Sequence, residues 1–479
     1  MSQLHAFFFP MLAHGHMIPT LDIAKLFASR GVHATIITTP LNAPVFTKAV
    51  EKASRSGLQM SLKIIKFPKV PGLPEGCESA DQITNPQLFP NFFTATMLLE
   101  EQLEQVLEEF RPDCLVADMF FPWATDVAAK FGIPRLVFHG TSFFTLCAAE
   151  QVRLNKPHEN LLNDWDPFVV PNLPHEIKMT RSQLPPSERD GVQTEFTKML
   201  SRAKESELKS YGVIVNSFYE LEPDYADHYR NVLKRKAWNI GPVSLCNREV
   251  EEKAQRGKKA AIDQDECLKW LDSKNPKSVI YVCFGSVCSF PPSQLHEIAL
   301  GLEASGQDFI WVVRKGKNDE EEEEEKRIPE GFEERMEGKG LFIRGWAPQV
   351  LILEHEAVGG FVTHCGWNSI LESICAGVPM VTWPAFADQF YNEKLVTEIL
   401  EIGIGVGCRE WYMAGRGNSD VKMEEVEMAV KGIMVGEEAE ERRNRAKALK
   451  EMAREAVEEG GSSYLDLDAL IKDLSSHHS

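Results

Sequence analysis

Short runs of apolar residues alternate with amphipathic stretches along both halves of the chain. In the first half, LHAFFFP, HATIITTP, CLVADMF and PRLVFHG are continuously apolar, and helical patterns such as TLDIAKLFASRG and PWATDVAAKFG stand between them. The same texture restarts with SVIYVCFGSV and DFIWVV, and continues with LFIRG, VGGFVT and PMVTWP. Continuous apolar strands that alternate with helices are typical of parallel sheets covered on both faces. The pattern therefore predicts an α/β fold built in two halves.

A charged segment separates the two halves. CNREVEEKAQRGKKAAIDQDE contains few apolar residues, which is typical of a linker. We therefore predict an N-terminal Rossmann-like domain over residues 1–245, a linker over 246–262 and a C-terminal Rossmann-like domain over 263–459. A ligand-binding cleft is expected between the two domains.

Composition and charge exclude several classes of protein. The chain has 479 residues, of which 43% are hydrophobic and 26% are charged, as in ordinary globular proteins. Its formal charge, 52 − 71 = −19, argues against nucleic acids and anionic membranes as partners. The N-terminus lacks a basic segment, and Pro10 interrupts its apolar run, so we expect no signal peptide and a cytoplasmic protein. The ten scattered cysteines lack metal-ligand spacing, which predicts reduced thiols and no metal site.

Residues 361–384, FVTHCGWNSILESICAGVPMVTWP, place polar residues between two predicted strands. His364 follows the first strand, and a helix is predicted to begin near Asn368 and Ser369 and to end at Gly377. The N-terminus of a helix offers unpaired N–H groups and a positive dipole end, which bind anions. The same two polar side chains would equally serve as helix caps.

Two further predicted strands end on residues suited to a nucleotide. Ser286 follows SVIYVCFG, where its hydroxyl and the neighbouring N–H groups can meet a phosphate. Trp346 follows LFIRG, where its indole can stack on a nucleobase. Together with His364 and the helix start, these residues indicate a site for a nucleotide diphosphate.

Two histidines and an aspartate in the first half suggest acid–base chemistry. His14 and His16 are predicted to lie in a loop beyond the first strand, and a neutral imidazole can accept a proton at neutral pH. Asp118 ends the apolar run CLVADMF, where it can orient a histidine and stabilise its imidazolium form. Asp22 and Asp126 are weaker candidates, since both are expected to be exposed on helices.

Residues 346–389, WAPQVLILEHEAVGGFVTHCGWNSILESICAGVPMVTWPAFADQ, resemble the 44-residue signature box of plant secondary-product glycosyltransferases. These are family-one enzymes that use UDP-sugars. HGHMIPTLDIAKLFASRG and FHGTSFF look most like the subgroup that glucosylates phenolics and triterpenoids. The resemblance implies a GT-B fold, in which two Rossmann-like domains face each other across a cleft. It also implies that a final helix, about residues 460–479, packs back on the first domain.

The resemblance further implies an inverting O-glucosyltransferase that uses UDP-glucose as co-substrate, with no cofactor or metal, and we expect a monomer. His16, three residues before Pro19, would be the general base, with Asp118 as its partner. Donor roles fall on Trp346 and Ala347 for uracil, Gln349 and Glu372 for ribose, His364, Asn368, Ser369 and Ser286 for the diphosphate, and Trp367, Asp388 and Gln389 for the sugar. Gln389 is associated in the family with glucose rather than galactose. Candidates for the acceptor pocket are Met11, His14, Phe120, Phe121, Phe143, Phe144 and Phe386.

Other functions fit the sequence less well. A nicotinamide dehydrogenase would need GxGxxG after a strand, and the run GIGVG at 403–407 is followed by Cys408 where this pattern requires its last glycine. The phosphate-loop pattern GxxxxGK[ST] does not occur. A non-catalytic sugar-nucleotide-binding protein would not need His16 and Asp118. The expected acceptor is a flavonoid, coumarin or other phenolic, with a triterpenoid or steroid sapogenin as the alternative. The acidic run Glu320–Glu325 is predicted to be a surface loop.

Overall fold

The computed structural model describes residues 3–83, 85–189, 191, 194–254, 256–313, 328–412 and 421–477, which leaves the run Glu320–Glu325 outside the described residues. The chain divides into two compact units. The first comprises Met1–Phe143, Gly191–Asn247 and Glu455–Ser479, and the second comprises Phe144–Asp190 and Arg248–Arg454. Residues 144–190 therefore group with the second unit, whereas the sequence placed them in the first domain. The boundaries 1–245, 246–262 and 263–459 stay a prediction.

The strands are short and mostly buried. In chain order they are β1 His5–Phe9, β2 His33–Thr38, β3 Met60–Ile64, β4 Cys114–Asp118, β5 Arg135–Phe138, β6 Pro167–Val169, β7 Lys178–Thr180, β8 Gly212–Val215, β9 Ala237–Asn239, β10 Val279–Cys283, β11 Asp308–Val313, β12 Gly340–Arg344, β13 Val358–Thr363, β14 Met380–Thr382 and β15 Gly403–Gly405.

Helices connect these strands in both units. Those of the first unit are His14–Ser29, Pro44–Arg55, Phe89–Met97, Glu100–Phe110, Ala124–Ala129, Glu195–Lys209, Pro223–Asp227 and Ser462–His477. Those of the second are Pro186–Arg189, Val250–Ala254, Gln264–Asp272, Pro292–Ser305, Phe332–Arg335, Gln349–Glu354, Trp367–Ala376, Gln389–Lys394 and Met423–Met434. Phe143–Asn155 and Ala439–Val457 run across the unit boundaries. Within the described ranges, none of these helices is both long enough and apolar enough to span a bilayer.

The first unit contains a parallel sheet in the order β3-β2-β1-β4-β5-β8-β9 among the described residues. Alternate residues of β1 enter different cores, with Ala6 and Phe8 on one face and Phe7 and Phe9 on the other. Strand side chains alternate between faces, so a run that is apolar at every position fits a sheet that is covered on both sides.

The last helix belongs to the core of the first unit. Leu467, Leu470 and Leu474 lie three and four residues apart, on one face of this helix, and join the cluster that contains Phe8. Burial of a leucine side chain contributes about 2 kcal/mol, so this face is sufficient to hold the helix on its unit.

The second unit repeats the same design. Its described residues form a parallel sheet in the order β12-β11-β10-β13-β14-β15, and a separate antiparallel pair of β6 and β7. Both parallel sheets follow the strand order of a doubly wound Rossmann unit. The predicted α/β class with two Rossmann-like units is therefore confirmed. All ten cysteines lie in the described part of the chain and are free thiols, as predicted.

Candidate active site

Each parallel sheet has a switch point, where the connections change direction along the strand order. In the first unit it lies between β1 and β4, and in the second it lies between β10 and β13. Ligands of open α/β sheets bind beyond the carboxyl ends of the strands at such points. His16, Ser286 and His364 follow β1, β10 and β13, and Asp118 is the last residue of β4.

His16 and Asp118 form a hydrogen-bonded pair at the switch point of the first unit. The helix begins at His14, so both histidines lie in its first turn and the predicted loop is wrong. The His16 Nδ1 and Asp118 Oδ2 atoms are 2.6 Å apart. Asp118 is fully buried at the end of β4, whereas 23% of the His16 side chain is exposed. A carboxylate accepts but does not donate, so Nδ1 carries the proton and the lone pair lies on Nε2.

Arg135, the first residue of β5, supports the end of β4, where Asp118 lies. Its guanidinium donates to the carbonyl oxygen of Asp118 at 2.8 Å and to the Thr125 and Ser206 hydroxyls at 2.8 and 2.9 Å. Burial lowers the pKa of Arg135 to about 10, and the charges of Asp118 and Glu207 oppose this effect. The residue therefore stays cationic at neutral pH. This contact could not be predicted from the sequence, because an arginine in the apolar run PRLVF gives no sign of its partners.

A second histidine–aspartate pair lies in the same helical turn. His14 Nδ1 and His14 N lie 2.6 and 2.7 Å from Asp81 Oδ2, and both residues are buried. No pattern in the sequence indicates Asp81, which lies 67 positions away in a short helical turn. Since His14 is more buried than His16, the pair that contains His16 is better placed to meet a substrate.

The two weaker acidic candidates differ from each other in burial. Asp22 is 1% exposed, so the prediction of an exposed residue is wrong. Its carboxylate accepts a hydrogen bond from the Asn247 side chain at 2.8 Å, which gives it a structural partner. Asp126 is exposed on its helix, as predicted.

Aromatic residues lie beside His16. Phe120 meets the imidazole edge-on, with ring centroids 5.6 Å apart, and Phe196 and Phe93 continue the cluster at 6.4 and 5.8 Å from Phe120. Phe120 was predicted from the sequence, whereas Phe93 and Phe196 were not, because they come from helices that are distant along the chain. The backbone of Gly140 also approaches the His16 ring, since a Cβ there would stand 3.7 Å from it.

Most of the other predicted acceptor residues are buried. Phe121 stacks on Phe9 with centroids 4.2 Å apart, and Phe143 packs edge-on against Tyr229 at 5.2 Å. Met11 and Phe144 are also almost fully buried, whereas Phe386 is only partly buried. Packing accounts for the four buried side chains, and acceptor contacts by this set stay a prediction.

In the second unit, the helix Trp367–Ala376 begins at the carboxyl end of β13. Gly366 occupies the N-cap position, so Asn368 and Ser369 are the second and third helical residues and the interpretation as caps is wrong. Cys365 turns the chain with a φ of 63°, a left-handed conformation that is strained for a residue with a side chain. Burial raises the pKa of its thiol well above the ordinary value, which leaves it unreactive.

The His364 imidazole passes between two glycines. A Cβ at Gly285 would stand 2.6 Å from its Cε1, and a Cβ at Gly366 would stand 2.5 Å from its Nε2. Both positions must therefore lack a side chain. Burial lowers the pKa of His364 to about 4, so the ring is neutral at pH 7. Its Nδ1 is buried and has no hydrogen-bond partner among the described residues. A neutral ring can still donate one hydrogen bond to an anion.

The two residues assigned to the ribose, Gln349 and Glu372, are hydrogen-bonded to each other. Gln349 Nε2 donates to Glu372 Oε2 at 2.7 Å and to Ser369 Oγ at 3.2 Å. Arg256 pairs with the other oxygen of the Glu372 carboxylate. Trp346 is partly buried at the end of β12, next to Ala347.

Two of the residues assigned to the sugar, Asp388 and Gln389, lie at the start of the helix Gln389–Lys394. Gln389 Oε1 accepts hydrogen bonds from the N–H groups of Ala385 and Phe386 at 2.9 and 3.0 Å. This sets the orientation of the amide and turns Nε2 away from these two donors. Asn392, which the sequence did not suggest, donates to Asp388 and to the carbonyl of Cys365, both at 3.0 Å. It therefore ties the helix to the turn after β13. Trp367 is 3% exposed, and Ser286 is partly buried after β10.

The chain has two Rossmann-like units. One has a histidine–aspartate pair at its switch point, and the other has the N-terminus of a helix there. Together these features are typical of a GT-B-type transferase of nucleotide-linked substrates. In the described ranges, no group of three or more His, Cys, Asp or Glu side chains could hold a metal ion. The profile of the family described as "UDP-glucoronosyl and UDP-glucosyl transferase" matches residues 79–413. The chain belongs to this family and is a UDP-glycosyltransferase.

Relatives match over all or nearly all of the chain. Scopoletin glucosyltransferase of Nicotiana tabacum is 62% identical over 480 residues, which cover 100% of this chain and 99% of that protein. UDP-glucose flavonoid 3-O-glucosyltransferase 7 of Fragaria ananassa is 60% identical, and the match covers 98% of this chain and 96% of that protein.

Solved structures confirm the GT-B fold class. A Glycyrrhiza uralensis protein complexed with glycyrrhetinic acid 3-O-monoglucuronide has a TM-score of 0.93 and 44% identity, and the match covers 100% of this chain and 96% of that one. A Medicago truncatula protein complexed with UDP-glucose has a TM-score of 0.79 and 29% identity, with 98% of each chain covered.

Proposed function

We propose that the protein transfers glucose from UDP-glucose to a hydroxyl of a phenolic acceptor, with inversion at the anomeric carbon and with His16 as general base. The observation that carries this proposal is the bond between His16 Nδ1 and buried Asp118, because it leaves the basic lone pair on Nε2 of a side chain that is partly exposed. Names of relatives that act on scopoletin and on flavonoids support the class of acceptor.

In the proposed reaction, the acceptor hydroxyl gives its proton to His16 Nε2 while its oxygen attacks the anomeric carbon. The bond from that carbon to the β-phosphate oxygen breaks, and its electron pair leaves with UDP. Asp118 stabilises the imidazolium that forms, and Arg135 holds the backbone of Asp118 in place. A single displacement on the face opposite the leaving group turns an α-linked glucose into a β-glucoside.

Residues of the second unit would hold the donor. The N–H groups at the start of the helix Trp367–Ala376, together with His364, Asn368, Ser369 and Ser286, would take up the charge on the diphosphate, so the proposal includes no metal ion. Gln389 uses Oε1 for the backbone, so its Nε2 would donate to a sugar hydroxyl, next to Asp388 and Trp367. Trp346 and Ala347 would contact uracil. The Medicago protein complexed with UDP-glucose supports the choice of donor.

A triterpenoid or steroid sapogenin is the alternative acceptor. The Glycyrrhiza protein complexed with glycyrrhetinic acid 3-O-monoglucuronide favours a triterpenoid as the alternative. The cluster of Phe93, Phe120 and Phe196 beside His16 offers flat apolar surface to either kind of acceptor. The proposal also includes a cytoplasmic monomer without nucleic-acid or membrane partners. The net charge of −19 supports the absence of nucleic-acid and anionic-membrane partners.

The test compares the two histidine–aspartate pairs. With UDP-glucose and a panel of coumarins, flavonols and sapogenins, His16→Ala should lower kcat by about 10²–10⁴-fold, because it removes the base. His14→Gln, in the same helical turn, is the matched control and should lower kcat by less than about 10-fold. The mechanism is refuted if His16→Ala keeps near-full turnover while folded. UDP binding without transfer to any acceptor would instead favour a non-catalytic sugar-nucleotide-binding protein.

A further inference from the structure

The segment predicted to be a free linker contacts the donor-binding segment Trp346–Gln389 at several described points. Lys253 Nζ lies 2.7 Å from Glu354 Oε2, and the N–H of Ala261 donates to the carbonyl of Trp346 at 2.7 Å. A Cβ at Gly345 would stand 2.8 Å from the Cβ of Ala261. The charged composition suggested solvent exposure, whereas these contacts attach this part of the chain to the residues assigned to the nucleoside.

Arg256 makes the contact that bears most directly on the donor. Its side chain is 11% exposed, and that of its partner Glu372 is 7% exposed. Ion pairs on protein surfaces contribute little, but removal of one partner from a buried pair leaves an uncompensated charge. The position of the Glu372 carboxylate therefore depends on Arg256 more than it would on a surface cation.

The hydrogen bonds from Arg256 and Gln349 use only part of the acceptor capacity of the Glu372 carboxylate, so it can also accept from two neighbouring hydroxyls of a ligand. Arg256 donates to Oε1 and Gln349 donates to Oε2, so each oxygen has one of these bonds. A carboxylate has about four acceptor positions in total. Each oxygen can thus accept one further hydrogen bond, which suits the vicinal hydroxyls of a ribose.

We propose that Arg256 is a positioning residue for the donor, which holds Glu372 so that both carboxylate oxygens meet the ribose hydroxyls. This inference rests on the proposed role of Glu372. Because Arg256 acts through the ground-state binding of the nucleoside, its loss weakens donor binding and leaves the chemical step almost unchanged.

The test measures binding of UDP and of 2′,3′-dideoxyuridine diphosphate by calorimetry, and steady-state kinetics with UDP-glucose. Arg256→Gln should weaken UDP binding by roughly 10-fold or more and raise the KM for UDP-glucose in parallel, with kcat within about 3-fold of the original. For the dideoxy compound, the same substitution should change binding by less than about 3-fold. Arg256→Lys should recover part of the lost affinity.

Lys259→Gln is the matched control, because it removes the same charge from an exposed position in the same segment and should leave both affinities unchanged. Equal losses for the two nucleotides would overturn the inference, since they point to a structural role. Unchanged or tighter UDP binding by Arg256→Gln would overturn it as well, and tighter binding would mean that Arg256 competes with ribose. Glu372→Gln distinguishes a failure of the proposed ribose role of Glu372 from a failure of the proposed positioning role of Arg256. If it leaves UDP binding unchanged, the ribose role of Glu372 fails; if it weakens UDP binding while Arg256→Gln does not, only the inference about Arg256 fails.

Discussion

The protonation of Glu393 should make the free energy of unfolding of the second unit depend on pH. It lies on the helix Gln389–Lys394, is 8% exposed, and accepts a hydrogen bond from the Thr382 hydroxyl at 2.7 Å. Burial raises the pKa of Glu393 from 4.5 to about 7. The folded protein therefore holds a proton on this group at pH values where the unfolded chain has released it.

The sign and the size of the effect follow from these two values. The contribution of neutral Glu393 is fully present below pH 4.5 and is lost as the pH rises through 7. At about 1.4 kcal/mol for each pH unit between 4.5 and 7, the loss amounts to about 3 kcal/mol. Glu393→Gln keeps an amide oxygen for Thr382 and removes the titration. Its free energy of unfolding should therefore exceed that of the unsubstituted protein above pH 7, and match it near pH 4.5.

Thermal unfolding followed by fluorescence between pH 4.5 and 8 measures this difference. The gap in Tm between Glu393→Gln and the unsubstituted protein should widen by roughly 6–12 °C across that range. Glu424→Gln, at an exposed position of the same unit, removes one carboxylate without burial and should show a constant gap. A gap for Glu393→Gln that stays constant with pH would refute the reasoning, because it would mean that Glu393 is ionised throughout.

Three other substitutions test separate parts of the molecule. The unsubstituted enzyme should prefer UDP-glucose to UDP-galactose, and Gln389→His should lower this preference in kcat/KM by about 10-fold or more; a preference for galactose at the outset would contradict the role of Gln389. Phe196→Ala should raise the KM for a flavonol acceptor about 5–10-fold with little change in the KM for UDP-glucose, and equal changes in both would count against the aromatic wall. Leu470→Ala should destabilise the first unit by about 2–4 kcal/mol in denaturant titrations, whereas Leu465→Ala, 54% exposed on the same helix, should cost less than about 0.5 kcal/mol.

The sequence predicted features that depend on local patterns. The strands β4, β10 and β13 could be recognised in the sequence because they are continuous, mainly apolar runs, and every residue in them is buried. The helix after β13 was predicted to within one residue, because Gly377 ends it with a φ of 73° that favours glycine.

Features that depend on contacts across the chain were not readable from the sequence. Asp81 lies 67 positions from His14, and nothing in its own surroundings indicates a histidine partner. Arg256 stands in a charged stretch that is typical of a solvated linker, although it pairs with a residue 116 positions away. The helix start at His14 was missed because Ala13, which has no capping side chain, precedes it. In each case the tertiary contact, rather than the propensity, decides the structure.

Gly285 and Gly366 flank the His364 ring, so substitutions at these three positions can be tolerated only in a certain order. Any side chain at position 285 or 366 meets the imidazole at 2.5–2.6 Å, so it is excluded while the histidine remains. Replacement of His364 by a small residue removes that barrier, but it also leaves two glycines facing empty space, where the backbone gains freedom at the expense of a defined turn. A variant library that samples these positions one at a time would therefore record each of them as intolerant. Only a library that varies all three together can reach a different packing of this turn.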